Sequence, residues 1–462
     1  MRELLLEIEL RPRQMRHALR DALRRAIQDG RLPAETVLPS SRRLASDLRV
    51  SRGVVTDAYE QLAAEGYLAV SERLAPMVAD IVTTAPAAPE PAPVSWRFDL
   101  GAVTPDVGLF PRREWRRAME QALRTAPDAA LNYADHRGRI ELRTALSEYL
   151  ARVRGARIDA GRVIITQGFT QALDLLCRVL VRNGATKLGV ESPSHPGLWA
   201  TVRSAGLELV GCPVDSDGLR PDLLGDLGAD AVVVAPAHQF PTGVVMTPAR
   251  RAALIDWAAT RGSLIIEDDY DAEFRYDRAA VGAVQGLDPG RVAHVGSASK
   301  TLAPGVRLGW ISAPPELVDP LSEQKSAADS GSPALDQLAL AHLMRSGDYE
   351  RHVLQARRAY RRRRDRLVRA ITARLPGLEL TGAAAGMQLL LRLPDHVDDL
   401  ELVATASARG VNISALSPMH LNSPPDHGLL LGYGRLTEPS IDKAVEELAI
   451  AVAPRLDQRH PS

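Results

Sequence analysis

Short apolar runs alternate with amphipathic stretches through most of the chain. The runs are VIIT (163–166), KLGV (187–190), AVVVA (231–235), LIIED (264–268), VAHVG (292–296) and LGWIS (308–312). Each has the length and apolar continuity of a strand buried on both faces. Between them, 170–182, 197–205 and 248–261 carry apolar residues at helical spacing. This alternation predicts an α/β domain with a mostly parallel sheet covered by helices. After about residue 350 the pattern changes to a long Arg-rich helix, strand 387–393, helix 398–408, strand-like 411–413, strand 428–432 and helix 438–452. That reads as a smaller α+β lobe.

The first part of the chain is different. Residues 1–79 are Arg-rich and helical in pattern, with a strand-like end. Residues 80–97, ADIVTTAPAAPEPAPVSW, cannot build a core and read as a semi-rigid Ala/Pro linker. The expected division is therefore 1–79, a linker 80–97, a large domain 98–350 and a small lobe 351–462.

Composition narrows the class. The chain has 462 residues, 45% hydrophobic and 25% charged, which fits a soluble globular protein of two or three domains. Its formal net charge is zero, so any nucleic-acid footprint must be local. Two cysteines, Cys177 and Cys212, fit a reducing cytosol. The opening MRELLLEIELRPRQ has no signal-peptide core, and no apolar run approaches a membrane span. A cytoplasmic protein is expected.

In 38–70 the spacing is that of a helix-turn-helix. Ala45 is the small residue where two helices touch, and Leu44, Leu48, Val54, Val55, Tyr59 and Leu62 form the inner stripe. Ser51 is the expected N-cap of the second helix, with Arg52 and Gly53 at its tip. An arginine there reaches guanine or phosphate. Ser40, Arg42 and Arg43 stand where phosphates would pass. A three-helix bundle with solvated arginines accounts for the same letters. The region resembles the winged helix-turn-helix of GntR-type bacterial regulators from about His17 to Leu68. It departs from them at Arg49, where glycine is usual, and in the wing SERLAPMV (71–78), where Glu72 would repel a phosphate.

Candidate chemistry gathers around GSASKTLAPGVRLGW (296–310). A strand delivers Lys300 to a sheet edge, and Arg307 follows. Pyridoxal phosphate needs a lysine for its Schiff base and a cation with hydroxyls for its phosphate. Gly168, Phe169 and Thr170 open a helix after a strand, where free amides cradle phosphate; a plain glycine turn is the alternative. In IIEDDYDAEF (265–274), Asp268 is the choice for the pyridine nitrogen and Tyr270 for the ring 3′-oxygen. An acidic loop or a divalent-metal site would use the same residues. His195 is a candidate to stack on the ring, although a lone histidine is commonly structural. His238 and Gln239, beside the PTG turn, are candidates for the ring edge.

Together these elements resemble fold-type I pyridoxal phosphate enzymes of the aspartate aminotransferase kind over about 98–452. The resemblance implies that Lys300 carries the Schiff base and that Ser297, Arg307, Gly168, Phe169 and Thr170 hold the phosphate. It implies that Arg435 grips a ligand carboxylate. Phe240 replaces the family's usual asparagine, so that contact to the 3′-oxygen is lost or relocated, and His195 stands where Tyr, Phe or Trp is usual.

The head, the linker and the aminotransferase-like body together resemble the MocR/GabR-type bacterial transcription regulators. LPSSRRLASDL, VSRGVVTDAYEQL, APAHQFPTG, EDDYDAEFRYD and SASKTLAPGVRLGW carry that likeness. It implies a regulator that binds double-stranded operator DNA as a head-to-tail homodimer, nucleoid-associated when bound. It also implies an effector that is an amine, an amino acid or pyridoxal phosphate itself. Enzymatic turnover is left open: a working aminotransferase with a DNA-binding regulatory domain is the alternative, and a regulator that has lost the cofactor is a third. The Arg run 361–364 is expected to be a solvated face or dimer contact rather than a second DNA site.

Overall fold

The computed structural model describes residues 15–71, 74–80, 96–133, 135–276, 281–421 and 425–456. The chain forms two compact units, 1–94 and 95–462. The expected linker falls largely on 81–95, and Glu72 of the wing on 72–73, outside the described residues.

In the first unit, α1 (Met15–Gln28), α2 (Ser41–Leu48) and α3 (Arg52–Ala64) precede an antiparallel pair, β1 (Leu68–Ser71) and β2 (Leu74–Val78). Leu44, Ala45, Val54, Val55, Tyr59 and Leu62 are buried in one core with Leu19, Leu23 and Ile27. Arg49 ends α2 in the left-handed conformation, at φ 54°. One expectation changes. Ser51 occupies the N-cap of α3, but its side chain makes no capping bond. Ser40 is the hydroxyl that caps a helix, accepting from the Arg43 amide at 3.3 Å at the start of α2.

The second unit runs β3 (Phe98–Asp99), α4 (Arg112–Thr125), α5 (Ile140–Arg154), β4 (Val163–Thr166), α6 (Phe169–Arg182), β5 (Lys187–Ser192) and α7 (Pro196–Ser204). Then come β6 (Glu208–Asp215), β7 (Gly218–Leu219), a single turn α8 (Pro221–Leu224), β8 (Ala231–Val234), α9 (Pro248–Arg261), β9 (Leu264–Asp269), β10 (Val292–Ser297) and β11 (Gly309–Ser312). The eight strands are ordered β4-β11-β10-β9-β8-β5-β6-β7. β10, β9, β8, β5 and β6 are mutually parallel; β11 is antiparallel to both its neighbours, and β7 to β6.

Alternation within the apolar runs explains why both faces are covered. Val233, Ile266 and Val295 pack on the side of α6, whereas Val232, Val234, Ile265 and Val292 pack on the side of α9. β6 is an element the apolar pattern did not announce. α10 (Val318–Asp329) and α11 (Ala334–Arg345) lead into α12 (Asp348–Arg374).

The small lobe has β12 (Leu380–Thr381), β13 (Gln388–Arg392), α13 (Asp399–Ala408), β14 (Val411–Asn412), β15 (Ser414–Ala415), β16 (Gly428–Gly432) and α14 (Glu438–Leu456). Its sheet is β12-β13-β16-β15. The strand-like 411–413 does not join it: β14 pairs in parallel with β3, at the start of the body. Of the arginines of 361–364, Arg361 and Arg362 are exposed, as a solvated face requires, while the next two depart from that expectation. Arg362 pairs with Glu438, Arg363 with Asp106, and Arg364 donates to Ala383 O and stacks on Tyr276. Arg363 and Arg364 therefore brace α12 within the fold. Among the described residues, no helix is long and apolar enough to cross a membrane.

Candidate functional site

The parallel strands end on one edge, and their terminal residues surround a cavity of about 360 Å³. It is lined by Phe169, Thr170, His195, Asp268, Tyr270, Ser297, Lys300 and Arg307, with Glu191, Phe240, Ser299 and Val103 among the others. Such crevices at carboxyl strand ends are where open α/β sheets take ligands.

One end of the cavity suits an anion. Gly168 is the N-cap of α6 with φ 100° and ψ −179°, a conformation open to glycine. A Cβ there would lie 3.4 Å from Arg307 Nη1, so the guanidinium sits against bare backbone. Gly309 permits the same closeness from β11: its Cβ would stand 2.7 Å from Gly168 Cα. Helix N-terminal amides, Ser297, Ser299 and Arg307 thus converge where a phosphate would be held.

At the other end stand the carboxylates of β9 and of the turn that follows it, and the structure tells them apart. Asp269 faces away, paired with Arg154 at 2.8 Å and His294 at 3.0 Å; Arg154 and His294 hold it far below the usual range although burial opposes them. Asp271 meets His238 Nδ1 at 2.8 Å. Asp268 lines the cavity, and its Oδ1 is buried with no partner among the described residues. Burial, then Asp269, Asp271 and Glu191, push its carboxyl well above the ordinary range, against Lys300. A protonated ring nitrogen would supply the missing partner. Together with the glycine-backed anion cradle, this makes the residues present a fit for pyridoxal phosphate.

Lys300 Nζ donates to Val103 O at 2.7 Å. Burial lowers its pKa, with Asp271 and Asp268 opposing. Val103 is held at φ 57°, unusual for a β-branched residue. His195 caps α7 through Nδ1, which accepts from Gly197 N at 2.9 Å, and its ring meets Phe240 at 5.6 Å between centroids. Burial and then Lys300 lower its pKa, so its ring is a neutral face.

Three expectations are not met at the cavity. Arg435 does not line it; its side chain is half-exposed and ion-paired with Asp99, because the turn after β16 carries it toward β3. Gln239 is turned into the protein, where it staples the Pro193 and Phe240 carbonyls and the Thr242 amide. His238 stands behind Tyr270 rather than at the ring edge, 3.0 Å from its hydroxyl. Glu191 was not anticipated. Burial pushes it up to about 8, and it accepts from Ala235 N at 3.1 Å. Its position at the end of a buried apolar run was the available signal.

On the first unit, Ser40, Arg42, Arg43, Ser51, Arg52 and Gly53 are all exposed around the start of α2 and the tip of α3. Arg52 Nε lies 3.4 Å from Ser41 Oγ, which links the two helices at that tip.

The comparisons with known proteins agree with this division. Residues 16–75 match the family described as bacterial regulatory proteins of the gntR family, and 98–449 match aminotransferase class I and II. The chain is 32% identical over 461 residues to the probable rhizopine catabolism regulatory protein MocR of Rhizobium meliloti, covering 95% of this chain and 93% of that protein. It is a GntR-family regulator of the MocR/GabR type. This regulator is also 32% identical over 447 residues to the pyridoxine biosynthesis regulator PdxR of Corynebacterium glutamicum, covering 94% and 95%. Its larger unit resembles an archaeal alanine:glyoxylate aminotransferase, with TM-score 0.72 and 29% identity over 78% of this chain and 92% of that one. A MocR/GabR-type regulator is a DNA-binding transcription regulator carrying an aminotransferase-like body, and both parts are present here.

Proposed function

We propose that this regulator holds pyridoxal phosphate at Lys300 and converts the arrival of an amine-bearing effector into a change of DNA affinity. The unpartnered Asp268 Oδ1 facing the cavity carries the reading. When bound, the cofactor supplies an aldehyde that exchanges one amine for another.

The chain's own residues have separable tasks. Arg307, Ser297 and the Gly168–Thr170 backbone hold the phosphate. Asp268 keeps a proton on the ring nitrogen. His195 offers a neutral face to the ring. Lys300, its pKa lowered by burial, presents an amine that can lose its proton and give up the Val103 carbonyl. An effector amine that displaces Lys300 changes what the lysine holds, and a ligand acts through such differences between states. Arg435, paired with Asp99, is not assigned to the effector.

At the head, Arg52 and Gly53 at the tip of α3 read the major groove, while Ser40, Arg42, Arg43 and Ser51 contact phosphates. Two heads of a homodimer would meet a two-fold operator in the cytoplasm. Transamination with turnover is the competing reading, favoured by the retained Lys300, Asp268 and Arg307. Phe240, which offers the 3′-oxygen no hydrogen bond, weighs toward regulation. The test is the absorbance spectrum of the wild type beside Lys300→Ala. A Lys300-dependent visible band fixed by borohydride is expected; no band after adding pyridoxal phosphate overturns the reading.

A further inference from the structure

Tyr270 stands between the cavity and a second, closed layer of polar groups. Its hydroxyl lies 3.0 Å from His238 Nδ1, and that same nitrogen lies 2.8 Å from Asp271 Oδ2. The His238 and Asp271 side chains are sealed from solvent, at 1% and 2% exposure. The backbone packs hard on the imidazole: a Cβ on Gly386, at φ 81°, would sit 2.2 Å from His238 Cε1. The ring therefore has little freedom to turn.

The protons follow from the geometry. A carboxylate oxygen and an imidazole lone pair cannot face each other at 2.8 Å, so a proton lies between them. We assign that proton to Nδ1, the tautomer in which the imidazole donates to the Asp271 carboxylate. Nδ1–H is then shared between Asp271 and the Tyr270 oxygen. Gln388 Nε2 donates to the same oxygen at 3.5 Å. Asp271 is the phenol's other acceptor; with that carboxylate taken up by Nδ1–H, the phenol's own O–H is left for the cavity.

We propose that His238, held by Asp271, is a positioning residue that turns the Tyr270 hydroxyl proton toward the 3′-oxygen of the cofactor. The inference rests on the reading that this cavity takes pyridoxal phosphate. The titratable groups facing Tyr270 are Asp271 and Asp268, with Lys300 and Glu191 around Asp268, and Tyr276 and Tyr433 beyond Asp271. Burial, then Asp271, holds the phenol well above its ordinary range, so the proton stays on the oxygen.

The test is a pH titration of the visible band in the full-length, cofactor-loaded protein. A hydrogen bond from Tyr270 favours the deprotonated 3′-oxygen and keeps the midpoint low. His238→Leu is expected to raise that midpoint by about one pH unit, the worth of one charge-assisted hydrogen bond. His238→Asn, whose amide nitrogen can stand near Nδ1, should restore the wild-type midpoint. A His238→Leu midpoint equal to wild type overturns the inference, as does His238→Asn shifting equally far. If His238→Leu does not fold, His238→Phe carries the same expectation. Absence of a Lys300-dependent band in the wild type would instead remove the cofactor reading itself; a normal band with an unshifted His238 variant removes this inference alone.

Discussion

Asp268→Asn should move two quantities in opposite directions. Without cofactor, Asp268 Oδ1 is buried and unpartnered beside Asp269, Asp271 and Glu191, and its carboxyl is pushed well above the ordinary range. The folded protein thus takes up a proton there more readily than the unfolded chain. Its contribution to stability is present below the unfolded value of about 4 and is lost as pH rises through the raised folded value. At neutral pH the cofactor-free protein carries that cost. Asparagine has no proton to take up and removes that pH-dependent cost, so denaturation midpoints at pH 7–8 should rise by the equivalent of on the order of 1 kcal/mol, what one unit of pKa shift is worth. The slope between about pH 4 and neutrality should flatten without vanishing, because Glu191, pushed up to about 8, contributes in the same direction. Cofactor affinity should fall, since a charge-assisted bond to the ring nitrogen is worth about 1.5–3 kcal/mol, or roughly tenfold to a hundredfold. Denaturant melts of the cofactor-free full-length protein and a fluorescence titration with pyridoxal phosphate read both. Unchanged affinity together with lower stability would refute the assignment of Asp268.

Other outcomes test the remaining parts. Gly168→Ala places a Cβ 3.4 Å from Arg307 Nη1 at φ 100°, a strain of order 1–3 kcal/mol, and should weaken pyridoxal phosphate binding at least about tenfold with the circular dichroism spectrum unchanged. Arg154→Met leaves Asp269 buried beside His294 alone; it should cost about 3–5 kcal/mol in denaturant unfolding, largely recovered by adding Asp269→Asn. Arg52→Ala should lower operator affinity by about 1–3 kcal/mol in fluorescence anisotropy. A loss confined to particular sequences marks a base contact, and a uniform loss with a shallower salt slope marks a phosphate contact.

Much of this arrangement was legible in the sequence, for reasons that differ by element. β4, β5, β8, β9 and β10 are buried on both faces, so each is a continuous apolar run. β6 is not: ELVGCPVD lies near the sheet edge, includes Gly211 and Pro213, and exposes Glu208. Lys300, Asp268 and Arg307 were legible because their tasks demand particular residue types at strand ends. Contacts that depend on distant closure were not. Val103, which holds Lys300, is 197 positions away, and the backbone strain there has no signature in its letter. Arg435 looked free for a ligand because nothing local announces Asp99, 336 positions earlier. Ser40 and Ser51 are equally good capping residues by type; only the geometry distinguishes the hydroxyl that closes a helix from the one that does not.

The central claim is that DNA affinity answers to what Lys300 holds. The most direct measurement is a titration of a DNA fragment, selected from a random pool by the protein itself, with wild type and Lys300→Ala. Each is loaded with pyridoxal phosphate and examined with and without a panel of amines and amino acids. The account predicts that at least one amine shifts the wild-type affinity and leaves Lys300→Ala unmoved. Equal shifts in both proteins would contradict it.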